Sequence, residues 1–153
     1  MAQTIRDTDS LETLRLLYPI FKEEVYRRRA AMAQIARQGS LFFVFLSLLT
    51  LLLSQERAIS PLLKGPACVA VALAASLLVL QIREEKLRHE KAKQQLITLE
   101  KGFQFFEVGS YLPNEPLYPP DWQKRPRVDP GMLISITALL ATALLSILII
   151  LLI

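Results

Sequence analysis

Residues 134–153 read ISITALLATALLSILIILLI, a run with no charged residue, no glycine and no proline. A helix needs about 20 mostly apolar residues to cross the ~30 Å hydrocarbon core of a bilayer. Two further stretches lack charge, 18 residues between Arg37 and Glu56 and 18 residues between Lys64 and Arg83. Backbone N–H and C=O groups find no water in lipid, so the three stretches predict three membrane-spanning helices.

The fold class predicted from this pattern is an all-α membrane protein. Its three transmembrane helices carry long cytoplasmic helical extensions and a proline-rich connecting arm. The N-terminal residues lack the apolar core of a signal peptide, so the first span serves as the insertion signal. The predicted segments are a cytoplasmic amphipathic helix at 1–37, span one at 38–55, an external loop at 56–64, span two at 65–82, a cytoplasmic helix at 83–107, the proline-rich arm at 108–130 and span three at 131–153.

Lysine and arginine are distributed very unevenly between the two predicted sides of the membrane. Residues 1–40 contain seven and residues 83–131 contain nine, whereas residues 54–65 contain two. Basic residues are retained on the cytoplasmic side of bacterial membranes. We therefore expect a multi-pass protein of a bacterial inner membrane, with a cytoplasmic N-terminus and with Ile153 on the periplasmic or external side.

The predicted cytoplasmic helices carry apolar side chains at helical spacing. In the first helix we expect Asp9 or Ser10 to be the N-cap, and Pro19 to kink or divide the helix. An apolar stripe has to pack on something, either the other cytoplasmic helix of the same chain or another subunit. The residues expected to build this contact are Leu11, Leu14, Phe21, Val25, Leu96, Leu99, Phe103 and Phe106.

Several basic and aromatic residues are candidates for the membrane interface. The arginine triplet before span one can attract anionic lipid headgroups, or it can serve only to retain this end in the cytoplasm. The segment 108–130 holds six of the nine prolines, which excludes a regular helix or a central strand there. It can lie along the interface, or it can dock a soluble partner on the cytoplasmic face. The candidate interface residues are Arg27, Arg28, Arg29, Tyr118 and Trp122.

Small residues recur at four-residue spacing in spans two and three. Small side chains let helices approach closely, and serine or threonine can hydrogen-bond across the contact. Such faces can pack within one chain, or they can meet other protomers and line a narrow pore. The candidate helix-packing residues are Cys68, Ala72, Ser76, Ser135, Ala138, Thr142 and Ser146.

Little in the sequence indicates a catalytic, metal-binding or cofactor-binding site. The single cysteine excludes an internal disulfide, and His89 is the only histidine, so a haem or zinc site lacks ligands. We expect His89 to be a solvated helix residue. The spans hold no ionisable side chain, which disfavours a proton-coupled transporter. No catalytic, cofactor or metal residue is expected, and the interspersed acidic residues disfavour nucleic-acid binding.

The stretches YRRRAAMAQIARQGSLFFVFLSLLTLLL at 26–53 and ACVAVALAASLLVLQIREEKLRHEKAKQQL at 67–96 follow a recognisable plan. A helix enters a hairpin of two spans, and a further helix follows. In this order of parts the chain resembles the SLATT-type two-transmembrane domains of bacterial conflict systems, over roughly 11–107. The resemblance implies an oligomeric pore triggered by a partner sensor. The third span and the proline-rich arm are additions to that plan.

Two functions are therefore expected from the sequence, and neither is enzymatic. The first is a small scaffold or accessory subunit that acts through helix–helix association in a larger membrane complex. The alternative is a homo-oligomeric pore-forming or effector protein of the SLATT type. In both cases the partners are the lipid bilayer and other protein chains.

The charge distribution makes a direct prediction about topology. A reporter enzyme that is active only in the periplasm, fused after Ile153, should be active. The same reporter placed before residue 2 should be inactive. Activity in the opposite pattern would reverse the predicted orientation.

Overall fold

The computed structural model describes residues 2–56, 60–123 and 130–153, and it describes side chains from Glu12 onward except at Gln55 and Glu56. The described residues form three long helices: α1 (Ala2–Glu56), α2 (Pro61–Gly102) and α3 (Pro130–Leu152). A short 3₁₀ turn spans Pro120–Gln123, and no β-strand occurs within these ranges. The all-α prediction is confirmed, and all three helices are long and apolar enough to cross a membrane.

Helix α1 begins earlier than the sequence signals suggest. It starts at Ala2, so Asp9 and Ser10 lie inside the helix and the predicted N-cap is wrong. Residues 2–8 contain no glycine or proline, so nothing in them opposes extension of the helix. The helix also runs through Pro19 without division, although Pro19 cannot donate a backbone hydrogen bond.

Helix α2 also begins earlier than predicted. Pro61 occupies its first position, where a missing N–H is no loss, and the Leu63 amide donates to the Ser60 carbonyl at 2.9 Å. Pro66, the second residue of the predicted span two, lies inside the helix instead. Leu62 and Leu63 are good helix formers, so the helix extends outward to the earlier proline.

The end of α2 lies at Gly102, five residues short of the predicted boundary. The Gln104 amide donates to the Lys101 carbonyl at 3.0 Å, and the Phe105 amide donates to the Glu100 carbonyl at 3.1 Å. Gln104 has a φ of 61°, in the left-handed region. This pair of bonds is a Schellman motif, which ends a helix and turns the chain sharply. Residues 103–123, the post-helix segment, continue in turns.

The described chain divides into two compact units. The apolar unit contains the described residues of 30–86 and 128–153, and thus the candidate membrane spans. The hairpin unit contains the described residues of 1–29 and 87–127. Each unit has its own cluster of buried side chains.

The core of the apolar unit is a seam shared by all three helices. Phe43, Ile82 and Leu139, one from each helix, are fully buried there. A β-carbon added at Gly39 would lie 2.6 Å from Leu139 Cδ1 and 2.8 Å from Leu78 Cδ1. These distances are too short for a real contact. Glycine at position 39 therefore permits α1 to approach both α2 and α3 closely.

We predict that Gly39→Leu destabilises the protein by about 1–3 kcal/mol, because the new side chain overfills a close-packed seam. The measurement is thermal unfolding followed by circular dichroism in a mild detergent.

Gly65→Leu is the matched control, since a β-carbon at Gly65 would meet nothing within 4 Å. Leucine is a better helix former than glycine, so this variant should be neutral or should gain up to about 1 kcal/mol. Equal losses at both positions would contradict the three-helix seam.

Candidate functional site

A pair of serines joins α1 to α3 inside the apolar unit. The Ser146 and Ser47 hydroxyl oxygens lie 2.8 Å apart, and each is also 2.8 Å from the Phe43 carbonyl. Ser146 lies 3.0 Å from the Thr142 carbonyl as well. A hydroxyl has one proton, so each serine donates to one acceptor at a time while its oxygen can accept from the other serine. The pair therefore satisfies two buried polar groups and fixes the register of the two helices.

The predicted helix-packing residues divide into two groups in the structure. Ser146 is fully buried, Cys68 packs against the core cluster, and Ser135 and Thr142 are half-buried. Ala72, Ser76 and Ala138 are exposed, so the idea that they pack within one chain is wrong. The reason is that α2 turns a different face inward, built by Val71, Ala75 and Ile82.

In the hairpin unit, α1 packs against the second half of α2. Val25, Ala92 and Leu96 are buried together, and Tyr18 and Phe21 pack on them. Leu14 lies beside Gly102, its Cδ1 atom 3.8 Å from where a β-carbon at Gly102 would stand. Residues that come earlier in α1 thus meet residues that come later in α2, as expected for antiparallel helices. Leu99 is half-buried, and the side chain of Leu11 lies outside the described residues.

Aromatic rings from α1 and the post-helix segment form a cluster beside this contact. The Tyr18 ring meets Phe103 and Phe105 edge-on, with ring centroids 6.0 Å and 5.8 Å apart. The rings of Phe105 and Phe106 both contact Tyr118. Phe103 and Phe106 were predicted, whereas Phe105 was not. The Schellman motif explains the difference, because it carries Phe105 out of the helix and onto Tyr18.

A buried carboxylate lies next to the aromatic cluster. Glu100 is only 2% exposed, and it accepts hydrogen bonds from the Trp122 indole at 2.9 Å and from the Tyr18 hydroxyl. The Tyr18 hydroxyl also lies 3.0 Å from that of Tyr118. Burial raises the pKa of the Glu100 carboxyl, and these hydrogen bonds with the nearby Lys22 and Lys93 offset only part of the rise. Burial and the Tyr118 contact likewise raise the pKa of Tyr18.

Four of the five candidate interface residues contact partners within the hairpin unit. Arg27 and Arg28 both form salt bridges with Glu24, the latter at 2.7 Å. Partial burial acts to raise the pKa of Glu24, but the hydrogen bonds from the two arginines outweigh it and lower that pKa. Tyr118 and Trp122 are engaged with Tyr18 and Glu100, as described above. A role of these five residues at the membrane interface stays a prediction.

His89 is less exposed to solvent than the sequence predicts. It is half-buried, and its Nδ1 atom lies 3.1 Å from the Val25 carbonyl. A carbonyl only accepts, so Nδ1 carries the proton in this contact. Among the described residues, no three His, Cys, Asp or Glu side chains are grouped so that they could hold a metal ion.

Gly39, Ser47 and Glu100 were not predicted from the sequence, although each is central to its unit. An acidic residue within an otherwise apolar helical stripe is the one sequence signal that could have identified Glu100.

The buried carboxylate predicts a specific pH dependence. The folded protein holds the Glu100 proton to a higher pH than the unfolded chain, whose glutamates titrate near about 4.3. The contribution of Glu100 to the free energy of unfolding is therefore greatest below that pH and is lost as the pH rises through the raised pKa. Glu100→Gln should remove this pH-dependent decrease in the free energy of unfolding. The measurement is thermal unfolding at a series of pH values.

Glu24→Gln is the control with the opposite sign. Because the pKa of Glu24 is lowered in the folded protein, Glu24 stabilises the fold at pH values above the pKa of glutamate in the unfolded chain. This effect is lost as the pH falls. The difference in the free energy of unfolding between each variant and the parent protein should therefore change with pH in opposite directions for the two variants. A Glu100→Gln difference that does not change with pH would contradict a raised pKa.

Comparisons of the chain with protein families, with characterised proteins and with solved structures find no match.

Proposed function

We propose that the protein is a non-enzymatic scaffold or accessory subunit of a larger assembly in a bacterial inner membrane. In this proposal the apolar unit anchors the chain by three spans. The hairpin unit lies in the cytoplasm and provides the contact with a partner protein. The excess of basic residues in 1–40 and 83–131 supports this orientation.

The observation that carries the proposal is an exposed apolar patch on the hairpin unit. Leu16 and Ile20, one turn apart on α1, are 68% and 61% exposed, and Leu17 beside them is 36% exposed. Arg15 and Lys22 flank the patch, so hydrocarbon is not its surrounding medium. Adjacent apolar side chains left in water typically mark a protein-binding surface. The side of α1 that packs on α2 is separate, since it uses Phe21 and Val25.

The helices of the apolar unit are also largely exposed. Within the most apolar stretch of each span, only 28%, 17% and 22% is buried in α1, α2 and α3 respectively. Lipid can cover the leucine-rich faces. The exposed small residues Ala72, Ser76 and Ala138 offer further places where a neighbouring helix could approach.

A second candidate function, the homo-oligomeric pore of the SLATT type, is favoured by these same exposed small residues. Identical chains could meet through them around an axis. The Ser76 hydroxyl donates to the Ala72 carbonyl at 2.8 Å, and Thr142 likewise bonds its own helix at 2.9 Å. These internal bonds leave little polar surface for a water-filled channel, so we prefer the accessory role.

The test is the native mass of the detergent-solubilised protein. We predict a monomer when the chain is expressed alone and a larger complex with other proteins in its natural membrane. Leu16→Glu combined with Ile20→Glu should release the monomer, because charges desolvated at an apolar contact are costly.

Val108→Glu is the matched control, since Val108 is 66% exposed in the hairpin unit but lies outside the patch. It should leave the complex intact. A defined ring of identical chains, formed by the protein alone, would contradict the accessory role and support the pore.

A further inference from the structure

The hairpin unit contains an open cavity of about 860 Å³, large enough for a small organic molecule. Helices α1 and α2 form two of its walls, and the end of the post-helix segment forms the third. The lining residues are Lys22, Val25, Tyr26, Lys93, Leu96, Glu100, Tyr118, Pro119, Asp121 and Trp122.

Most of the wall is apolar. Val25 and Leu96 are nearly fully buried at the helix contact, so they form a fixed floor. Trp122 is held in place by the hydrogen bond from its indole to Glu100. A ring fixed in this way supplies a flat apolar surface at small entropic cost when a ligand binds.

The cationic groups of the wall, Lys22 and Lys93, act on Glu100 only by longer-range attraction, which lowers the pKa of its carboxyl against the larger effect of burial. Lys93 Nζ lies 4.5 Å from the centre of the Trp122 ring, and Lys22 Nζ lies 5.7 Å from the centre of the Tyr18 ring. Among the residues with described side chains, neither ammonium forms a salt bridge with a carboxylate.

The two carboxylates of the wall are already engaged. Glu100 accepts from Trp122 and Tyr18, and Asp121 also interacts within the chain. A cationic ligand would therefore meet two lysines and no free carboxylate, whereas an anionic group would meet two available ammonium groups.

We propose that this cavity binds a small amphiphilic anion, with its apolar body against Leu96 and Trp122 and its anionic group at Lys22 and Lys93. A fatty carboxylate and a single-chain lipid phosphate share this chemistry. The site is separate from the apolar patch around Leu16, so the proposal does not depend on the accessory role.

The test uses octanoate as the probe and the full chain in nanodiscs of neutral phosphatidylcholine. Trp122 is the only tryptophan of the chain, so its fluorescence reports directly from the cavity wall. Octanoate should change this fluorescence in a saturable way. Octanamide and octyltrimethylammonium, which have the same chain without the negative charge, should bind at least about tenfold more weakly.

Lysine variants test where the anionic group lies. Lys93→Gln and Lys22→Gln should each weaken octanoate binding by about tenfold, which corresponds to about 1.4 kcal/mol. Lys91→Gln is the matched control, because Lys91 is exposed on the same helix and does not line the cavity. Circular dichroism confirms that each variant keeps its helices.

Other results would overturn the proposal. These are an absent or non-saturable response, equal binding of octanamide, preferred binding of the ammonium probe, or equal weakening by Lys91→Gln. Nanodiscs of phosphatidylglycerol distinguish the natural source of the ligand. A loss of octanoate affinity there identifies a membrane lipid as the competitor, and unchanged affinity identifies a free amphiphile.

Discussion

Backbone hydrogen bonding in hydrocarbon is the constraint on which the rest of the structure depends. A segment that crosses a bilayer has to satisfy its N–H and C=O groups internally, so it is a helix. Lipid is as apolar as leucine, and burial of apolar surface therefore gives little drive for such helices to associate. Close approach of the helices has to provide this drive for association instead. In the apolar unit that approach occurs at Gly39 and at the Ser47–Ser146 pair, where three helices share one seam.

The hairpin unit contains other parts of α1 and α2 and is stabilised in a different way. Its residues carry many charges, and its stability comes from an apolar contact around Val25 and Leu96 together with a cluster of aromatic rings. Glu100 is held among these groups by Trp122 and Tyr18 rather than by a salt bridge. Burial of a carboxylate costs free energy unless it is hydrogen-bonded. A costly group of this kind is more typical of a binding site than of a simple spacer.

The uncharged stretches predicted the number of spanning helices and the fold class, because hydropathy depends on composition alone. Most of the contact between α1 and α2 was also predictable, since Phe21, Val25 and Leu96 follow the helical period. Helix ends were predicted less well. Pro61 rather than Pro66 opens α2, and the left-handed Gln104 closes it, although glutamine carries no sequence signal for that conformation. Gly39 owes its role to Leu78 and Leu139, which are distant in the sequence, so no local pattern reveals it.

The most direct test of the account is a cross-link between the two helices joined by the serine pair. In native membranes, with Cys68 replaced by alanine, mild oxidation of the Ser47→Cys, Ser146→Cys variant should form a disulfide within one chain. The 2.8 Å between the two hydroxyl oxygens places the side chains within disulfide reach. Ser76→Cys with Ser146→Cys is the control and should stay unlinked within the chain, because Ser76 is exposed. A disulfide between chains, or none, at positions 47 and 146 would contradict the three-helix seam.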